Sequence, residues 1–193
     1  MNELEYGTIF EKGVPNPFGE YFSGQSYLAM LTQLNGVGVA NVTFEPACRN
    51  NWHIHHGDKG GGQILLVTGG RGWYQEWGKD AQELHAGDVV AIPVDVKHWH
   101  GAAKDSWFAH IAIEVPGENT SNEWLEPVSE EEYGKLLDSS LKFHILNAKN
   151  HGVTAEEMAE ILTHAAFYAG WPKAWAAFRM AKEVYGEAQK VET

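Results

Sequence analysis

Hydrophobic and polar positions between residues 25 and 115 form short blocks separated by turn-forming residues. Six blocks are rich in β-branched and aromatic side chains, and glycine or proline bounds most of them, as is typical of β-strands. They are SYLAMLTQL, GVANVTFEP, GQILLVTGG, GWYQEW, GDVVAIP and WFAHIAIEVP. Their spacing, roughly 8–12 residues, predicts an all-β sandwich or barrel and leaves little room for the crossover helices of a parallel sheet.

The pattern changes after residue 115. PGENTSN (116–122) has the composition of a polar, turn-forming linker, and SEEEYGKLL follows shortly after it. There Ser129 and Glu132 have the spacing of a capping box, which predicts the start of a short helix. Thr154 and Glu157 repeat this spacing at the start of TAEEMAEILTHAAFYAG.

Two helices are predicted in this last part of the chain. Gly170 suits the end of the first helix, and Pro172 suits the first turn of the second. Apolar residues recur at helical spacing in both helices, namely Met158, Ile161, Leu162, Ala165 and Tyr168, then Trp175, Phe178 and Val184. Two helices of this length cannot bury such stripes alone, so we expect them to pack on the β domain or on another chain.

These patterns predict a mainly β chain with a C-terminal α-helical hairpin. The predicted parts are an N-terminal arm (1–24), a barrel with a short following helix (25–137), a linker (138–151) and the hairpin (152–193).

Composition narrows the classes of function. The chain has 193 residues, of which 44% are hydrophobic, and a net charge of −12. Such a charge argues against nucleic acid and anionic membrane surfaces as partners. Cys48 is the only cysteine, which excludes an intrachain disulfide. With no signal-peptide pattern at the start and no apolar run of membrane-spanning length, we expect a cytoplasmic protein.

Seven of the ten histidines lie between residues 53 and 110. Residues i and i+2 of a strand point to the same side, so His53 and His55 would present two imidazoles to one face, and so would His98 and His100. Neutral imidazole binds zinc, iron, nickel and copper, and two such pairs meeting inside a barrel would form a metal site. An isolated His-x-His pair is usually a surface feature without a function, but two pairs within one barrel pattern favour a metal site.

Two other histidines fit this site less well. His56 alternates to the opposite face from His55, which predicts a solvent or loop position. His85 precedes Ala86 and Gly87 in a predicted turn, so we interpret it as structural.

The segment WHIHHGDKGGGQILLVTGG, followed by GDVVAIPVDVKH, resembles the two metal-binding motifs of the cupin superfamily of small jelly-roll-like β-barrels. Gln63 stands where many cupins have glutamate, which makes the site less anionic. The gap between His55 and Gln63 is longer than usual and holds three glycines, so the loop must bulge. Asp95 replaces a usual glycine of the second motif.

The glutamine points to a narrower group. Over residues 37 to 135 the chain resembles single-domain bacterial cupins that include manganese-dependent hydroxynitrile lyases. This resemblance implies one divalent metal ion, Mn(II) first and Fe(II) or Zn(II) as alternatives. It implies the metal ligands His53, His55, Gln63 and His98. It also implies acid–base or hydrogen-bonding roles for His100 and His110, and a pocket shaped by Ala40, Val42 and Glu114. A homodimer or higher homo-oligomer is common among such cupins.

The hairpin carries a second resemblance. GVTAEEMAEILTHAAFYAGWPKAWAAFRMAKEVYGE is similar to the last two helices of the carboxymuconolactone decarboxylase family. That family's catalytic acid and histidine, or its cysteines, lie in the half that would precede Gly152, and here the barrel replaces that half. We therefore interpret His164 as a packed or capping residue, and the hairpin as an element of packing or dimerisation.

Three functions remain open from the sequence. A metal with three imidazoles and one neutral amide is a Lewis acid, which favours lyase-like cleavage of a carbon–carbon bond, or proton transfer, in a small molecule. An iron-dependent oxygenase could use the same ligands, because imidazole suits both chemistries. A non-catalytic cupin that binds a small molecule is the third possibility.

Overall fold

The computed structural model describes residues 8–186, with the side chains at 137–140, 143, 169, 172, 173 and 176 left out. The chain forms two compact units that divide between Val128 and Ser129. We call residues 8–128 the barrel unit and residues 129–186 the helical unit, and each is described by itself.

The barrel unit is built from strands, with one 3-10 turn at Gly19–Tyr21. The strands are β1 (Val14–Pro15), β2 (Phe22–Ser23), β3 (Ser26–Leu34), β4 (Val37–Phe44), β5 (Arg49–Asn50), β6 (His53–His56), β7 (Lys59–Gly60), β8 (Gln63–Glu76), β9 (Gln82–His85), β10 (Val89–Ile92), β11 (His98–Ala102), β12 (Phe108–Glu114), β13 (Gly117–Glu118) and β14 (Ser121–Trp124). The predicted mainly β class is confirmed, and all of the pairings are antiparallel.

Strand β8 organises the sheet. The main path runs β1-β3-β4-β12-β8-β11-β5-β2, and β6 joins β11 to β14. The first half of β8 pairs with β10 and β12, whereas its second half pairs with β9 and β11. Gly70 permits this change of partners: its φ is +70°, and a Cβ there would lie 1.8 Å from the Trp107 carbonyl oxygen. One strand with two sets of partners curls the sheet, and it replaces two of the predicted strands.

The apolar side of the curled sheet forms a continuous core. Its buried members are Val42, Phe44, Cys48, Leu65, Val67, Tyr74, Leu84, Val90, Ile92, Ala102 and Phe108. Burial raises the pKa of the Cys48 thiol to about 12, so this lone cysteine is an unreactive core residue.

The predicted N-terminal arm and the predicted PGENTSN linker both contribute to the sheets. Residues Val14–Pro15 pair with β3, and Phe22–Ser23 pair with β5, so the barrel begins well before residue 25. Residues Ser121–Trp124 pair with β6, although this polar sequence lacks the alternation that indicates a strand.

The helical unit contains α1 (Glu130–Asn150), α2 (Ala155–Ala169) and α3 (Trp171–Gly186). Both predicted capping boxes are present, at Ser129 and Thr154. The predicted short helix and the linker over 138–151 are wrong, because α1 continues unbroken to residue 150. Ile145 on α1 is buried beside α2 and α3 residues, so α1 completes a three-helix core.

The apolar stripe of α2 is only partly buried. Met158 and Leu162 are buried, whereas Ile161 is 53% exposed. A group of aromatic residues is exposed at the junction of α2 and α3, and we call it the aromatic face: Phe167, Tyr168, Trp171 and Trp175. None of the helices within residues 8–186 is both long enough and apolar enough to cross a membrane; the predicted cytoplasmic location stays a prediction.

Candidate metal centre

Three buried histidines of the barrel unit converge. His53 and His55 are two residues apart on β6, and His98 begins β11 directly opposite His53. Their exposed fractions are 2%, 4% and 0%. One nitrogen from each ring lies within 4.8 Å of the others, so the three could hold one metal ion. The period of two in a strand puts both β6 rings on the same side, as the sequence pattern predicts.

Each of these three rings has an oxygen acceptor beside Nδ1. The acceptors are the Asn51 carbonyl for His53 (3.0 Å), the Asn122 side-chain Oδ1 for His55 (2.7 Å) and the Val96 carbonyl for His98 (2.8 Å). The proton of each neutral ring is therefore assigned to Nδ1, which leaves the lone pair on Nε2 for a metal. The Nε2 atoms of His55 and His98 are buried and have no hydrogen-bond partner among the described residues.

Burial keeps the imidazoles of His53 and His98 uncharged. It lowers the pKa of His53 well below its ordinary value, with further contributions from His98 and His55. Burial also lowers the pKa of His98 to about 4, against the opposing effect of its bond to Val96. At neutral pH both rings therefore offer lone pairs, as metal ligation requires.

Gln63, at the start of β8, is the predicted fourth ligand, and its donor atom would be an oxygen. It is 8% exposed, and its side-chain Oε1 has no hydrogen-bond partner within residues 8–186. The preceding glycine brings the chain close to β10: Gly62 has φ +88°, and a Cβ there would lie 2.4 Å from the Ile92 carbonyl oxygen. The predicted bulge between His55 and Gln63 contains β7, which pairs with β13 as a small separate sheet.

The donor set therefore fits a divalent cation. Burying imidazole nitrogens and an amide oxygen without hydrogen-bond partners costs folding free energy, which a bound cation would offset. Imidazole with an oxygen donor suits Mn, Fe, Zn and related ions, so the donors by themselves do not select one metal.

His100 and His110 lie beside this group, on β11 and β12. The Asn50 side-chain Oδ1 accepts a hydrogen bond from the His100 backbone N–H (2.9 Å), which orients the amide so that Nδ2 faces His100 Nε2 (3.0 Å). Nε2 of His100 is therefore an acceptor, and its proton is assigned to Nδ1. Nδ1 of His100 and both ring nitrogens of His110 are buried without a hydrogen-bond partner among the described residues.

The two rings lie edge to face, with centroids 4.8 Å apart. Burial lowers the pKa of His100 well below its ordinary value, with His110 as the next cause. It also lowers the pKa of His110 to about 4, with an opposing effect from the Ile111 peptide group, which is near but makes no hydrogen bond of normal geometry.

A cavity of about 880 Å³ opens beside these groups. Its walls include all three residues predicted to shape the pocket: Ala40, Val42 and Glu114. His53, His55, Gln63, His100 and His110 also line it. His98 is not among the described residues that line the cavity, and its ring centroid lies 4.1 Å from that of His53.

The remaining predicted positions lie outside this group. His56 points away from His55, half-exposed, and its two nitrogens contact Asp95 (2.6 Å) and Glu123 (2.8 Å). Asp95 has φ +62°, a left-handed conformation that explains why a glycine is common at this position. His85 ends β9 with its side chain 60% exposed.

His164 neither packs nor caps. It is exposed within α2, and its Nδ1 lies 3.0 Å from the Glu160 carbonyl oxygen.

Sequence reasoning missed the residues that orient the buried histidines. Asn50 fixes His100, Asn122 accepts from His55, and the Trp124 ring stacks on His53 at 4.8 Å. The position of Asn50, before a predicted His-x-His strand, carries no distinguishing signal. Asn122 and Trp124 lie on β14, which was expected to be partly linker, and only its pairing with β6 reveals them.

Comparisons with known proteins agree with both resemblances. A protein named (R)-mandelonitrile lyase, from Granulicella tundricola, is 43% identical over 97 residues, which cover 50% of this chain and 71% of that protein. The crystal structure of a cupin-like protein from Thermotoga maritima is 43% identical, covers 66% of this chain and 95% of that chain, and has a TM-score of 0.57.

The helical unit matches a different group. Residues 138–183 match the carboxymuconolactone decarboxylase family, and the match begins inside α1. A 4-carboxymuconolactone decarboxylase from Acinetobacter baylyi is 40% identical over 48 residues, which cover 25% of this chain and 36% of that protein. The curled β-sheet, its converging histidines and the two 43%-identical relatives together show that the chain belongs to the cupins, with C-terminal helices similar to those of the carboxymuconolactone decarboxylase family.

Proposed function

We propose that this cupin is a metal-dependent enzyme that cleaves a carbon–carbon bond next to a hydroxyl group in a small molecule. The observation that carries this proposal is the His100–His110 pair, which lines the same cavity as His53, His55 and Gln63. A group that could hold a cation thus lies beside two neutral rings that could hold and move a proton.

We propose His53, His55, Gln63 and His98 as the ligands of one divalent ion, with Mn(II) as the first candidate by resemblance and Fe(II) or Zn(II) as alternatives. A divalent ion bound by neutral donors keeps most of its charge and would polarise a substrate oxygen. The chain itself would supply the orientation of the ligands, through the acceptors beside each Nδ1.

His100 and His110 would have different roles in the proton transfer. The Asn50 amide holds His100 as a donor at Nδ1, whereas one nitrogen of neutral His110 carries a lone pair and could accept. In cleavage of a cyanohydrin, the hydroxyl proton would pass to His110 as the C–C bond breaks. The electron pair of that bond would leave with cyanide, to which His100 Nδ1 would donate a hydrogen bond and His110 would return the proton. The products would be an aldehyde and hydrogen cyanide, and both rings would end in their neutral forms.

The cavity favours a small substrate with an apolar part. Ala40 and Val42 lie opposite Ala112 and His110 in the β4–β12 register, so small apolar side chains flank the proposed proton acceptor. Phe22 and Leu28 add apolar surface farther along the wall. The relative named (R)-mandelonitrile lyase makes a cyanohydrin with an aromatic ring the first substrate to test.

Elemental analysis of protein purified without chelator or added metal tests this proposal first. We expect about one equivalent of a divalent ion, and release of benzaldehyde from mandelonitrile by the loaded protein. His110→Phe, which fills the ring's space without a proton acceptor, should keep the metal and lose the cleavage. Oxygen consumption by the Fe(II) form without cleavage would instead support an oxygenase. A protein that takes up no metal and cannot be reconstituted would overturn the enzyme proposal.

We further propose that the helical unit mediates self-association, as a homodimer or higher homo-oligomer. The aromatic face leaves Phe167 76%, Tyr168 93% and Trp175 61% exposed, and clustered exposed apolar side chains mark interaction surfaces. Trp175→Glu should lower the molar mass measured by light scattering. Val89→Glu, at a residue of the barrel unit that is 62% exposed, is the matched control and should leave the mass unchanged. An unchanged mass in Trp175→Glu would contradict this role.

A further inference from the structure

We propose that Glu114 is the positioning residue that turns the Gln63 amide so that its oxygen, and not its nitrogen, faces the metal site. The two residues lie directly opposite each other in the β12–β8 register. Gln63 Nε2 donates to Glu114 Oε1 at 2.6 Å, which leaves Gln63 Oε1 buried without a partner among the described residues. This inference rests on the metal site proposed above.

The need for such a residue comes from the chemistry of the amide. A carboxylate ligand presents an oxygen in either orientation, but a glutamine side chain can turn over and present its NH₂ group instead. An amide NH₂ has no lone pair to give to a cation and directs two N–H dipoles toward it. A carboxylate partner can only accept hydrogen bonds, so Glu114 stabilises the one orientation of Gln63 in which Oε1 is free to ligate.

A role for Glu114 through charge alone is the competing explanation. Glu114 is the one acidic residue among the described residues that line the cavity, and its side chain is 47% exposed. Its Oε2 also lies 3.7 Å from His55 Nδ1. However, that nitrogen already has the Asn122 oxygen at 2.7 Å, so orienting His55 does not require Glu114.

Three substitutions separate orientation from charge. Glu114→Gln removes the charge but keeps an amide oxygen that can accept from Gln63. Glu114→Leu removes both the charge and the acceptor at similar size. Glu114→Lys can only donate, so it would stabilise the Gln63 orientation that presents NH₂ to the metal.

Glu118→Gln is the matched control. It removes one carboxylate from β13, beside the cavity-lining Gly117. Glu118 is 68% exposed and pairs with Lys59, not with Gln63.

The measurement is the Mn(II) dissociation constant of the full-length chain, stripped by chelator and titrated with Mn(II) alone, with thermal unfolding of each metal-free variant to confirm the fold. Glu114→Leu should bind about 10–100-fold more weakly, the usual effect of losing an outer hydrogen-bond partner of a ligand. Glu114→Lys should bind still more weakly, whereas Glu114→Gln and Glu118→Gln should stay close to the unsubstituted protein. Loaded with Co(II), Glu114→Leu should show an altered visible absorption spectrum and Glu114→Gln an unaltered one, because a protein oxygen donor is lost in the first variant alone.

Two results would overturn the inference while leaving the metal site standing. One is unweakened binding by Glu114→Leu, and the other is equal weakening in Glu114→Gln and Glu114→Leu, which would indicate charge. An unsubstituted protein that binds no Mn(II) and no Co(II) would overturn the metal site and this inference together.

Discussion

The barrel unit hides imidazole rings from solvent, whereas the helical unit exposes aromatic rings to it. His53, His98 and His110 are at most 2% exposed, but Phe167 and Tyr168 are more than three-quarters exposed. Single exposed apolar residues are ordinary, and so are buried polar residues that are hydrogen-bonded. The informative deviations are clusters of buried polar residues without partners and clusters of exposed apolar residues. Each unit departs from the ordinary distribution in the opposite direction, which is why we propose a ligand site in the first and a self-association surface in the second.

Of the proposed substitutions, His98→Ala should have the largest effect, namely loss of metal binding by the barrel unit. Removing this imidazole would delete a proposed ligand outright, so metal affinity should fall by more than the roughly 10–100-fold that follows loss of an outer partner. Elemental analysis after desalting should find no stoichiometric metal. His85→Ala, at an exposed histidine of the same unit, should retain it. A full equivalent of metal in His98→Ala would refute this ligand assignment.

Acid should destabilise the metal-free protein through its buried rings. The pKa of His98 and that of His110 are each lowered from 6.5 to about 4, so between these values the unfolded chain binds more protons than the folded one. The stabilisation is complete above pH 6.5 and is lost as pH falls toward 4, by about 3 kcal/mol for each ring. Urea unfolding at several pH values measures this loss. His110→Phe should flatten the dependence, and an unchanged slope would contradict the contribution of this ring.

The helical unit offers a matched pair of substitutions. Leu162 is 7% exposed and belongs to the three-helix core, whereas the neighbouring Ile161 is 53% exposed. Leu162→Ala should lower the free energy of unfolding by about 2–5 kcal/mol, because it leaves a cavity. Ile161→Ala should cost much less. Urea unfolding followed by far-ultraviolet circular dichroism compares them, and equal losses would show that Ile161 is buried in the protein as it exists in solution.

The smallest effect is expected at the start of α2. The Thr154 hydroxyl accepts from the Glu157 backbone N–H at 3.2 Å, and the Glu157 carboxylate accepts from the Thr154 backbone N–H at 2.8 Å. Thr154→Ala should destabilise the helical unit by about 1 kcal/mol, the usual cost of losing an N-cap. Thr163→Ala, within the same helix, removes a hydroxyl without a capping role and is the control. No difference between the two in thermal unfolding would refute the cap's contribution.

Most strands of the barrel, and the side of each strand on which its histidines lie, could be predicted from the sequence. The turn residues and the alternation of side chains along a strand are local signals. The pairing of His53 with His55 on one face follows directly from the period of two. The continuation of α1 could also have been found, since Leu141, Ile145 and Ala148 recur at helical spacing within the segment interpreted as a linker.

The residues that contact the proposed ligands could not be found in this way. Glu114 and Gln63 are 51 positions apart in the chain, and their hydrogen bond depends on the register between β12 and β8. Asn122 reaches His55 only because β14 pairs with β6. Short polar strands have no hydrophobic pattern to indicate them, so their positions depend on the tertiary fold.

The placement of the proposed ligands on β6, β8 and β11 links metal supply to folding. The unfolded chain offers His53 and His55 close in sequence, but Gln63 and His98 join them only when the sheet has formed. An ion that binds the folded state alone at about 100 times its dissociation constant would add about 2.7 kcal/mol to stability. The concentration of free metal would then act as a thermodynamic variable of the barrel, so its melting temperature would report on the metal available to it.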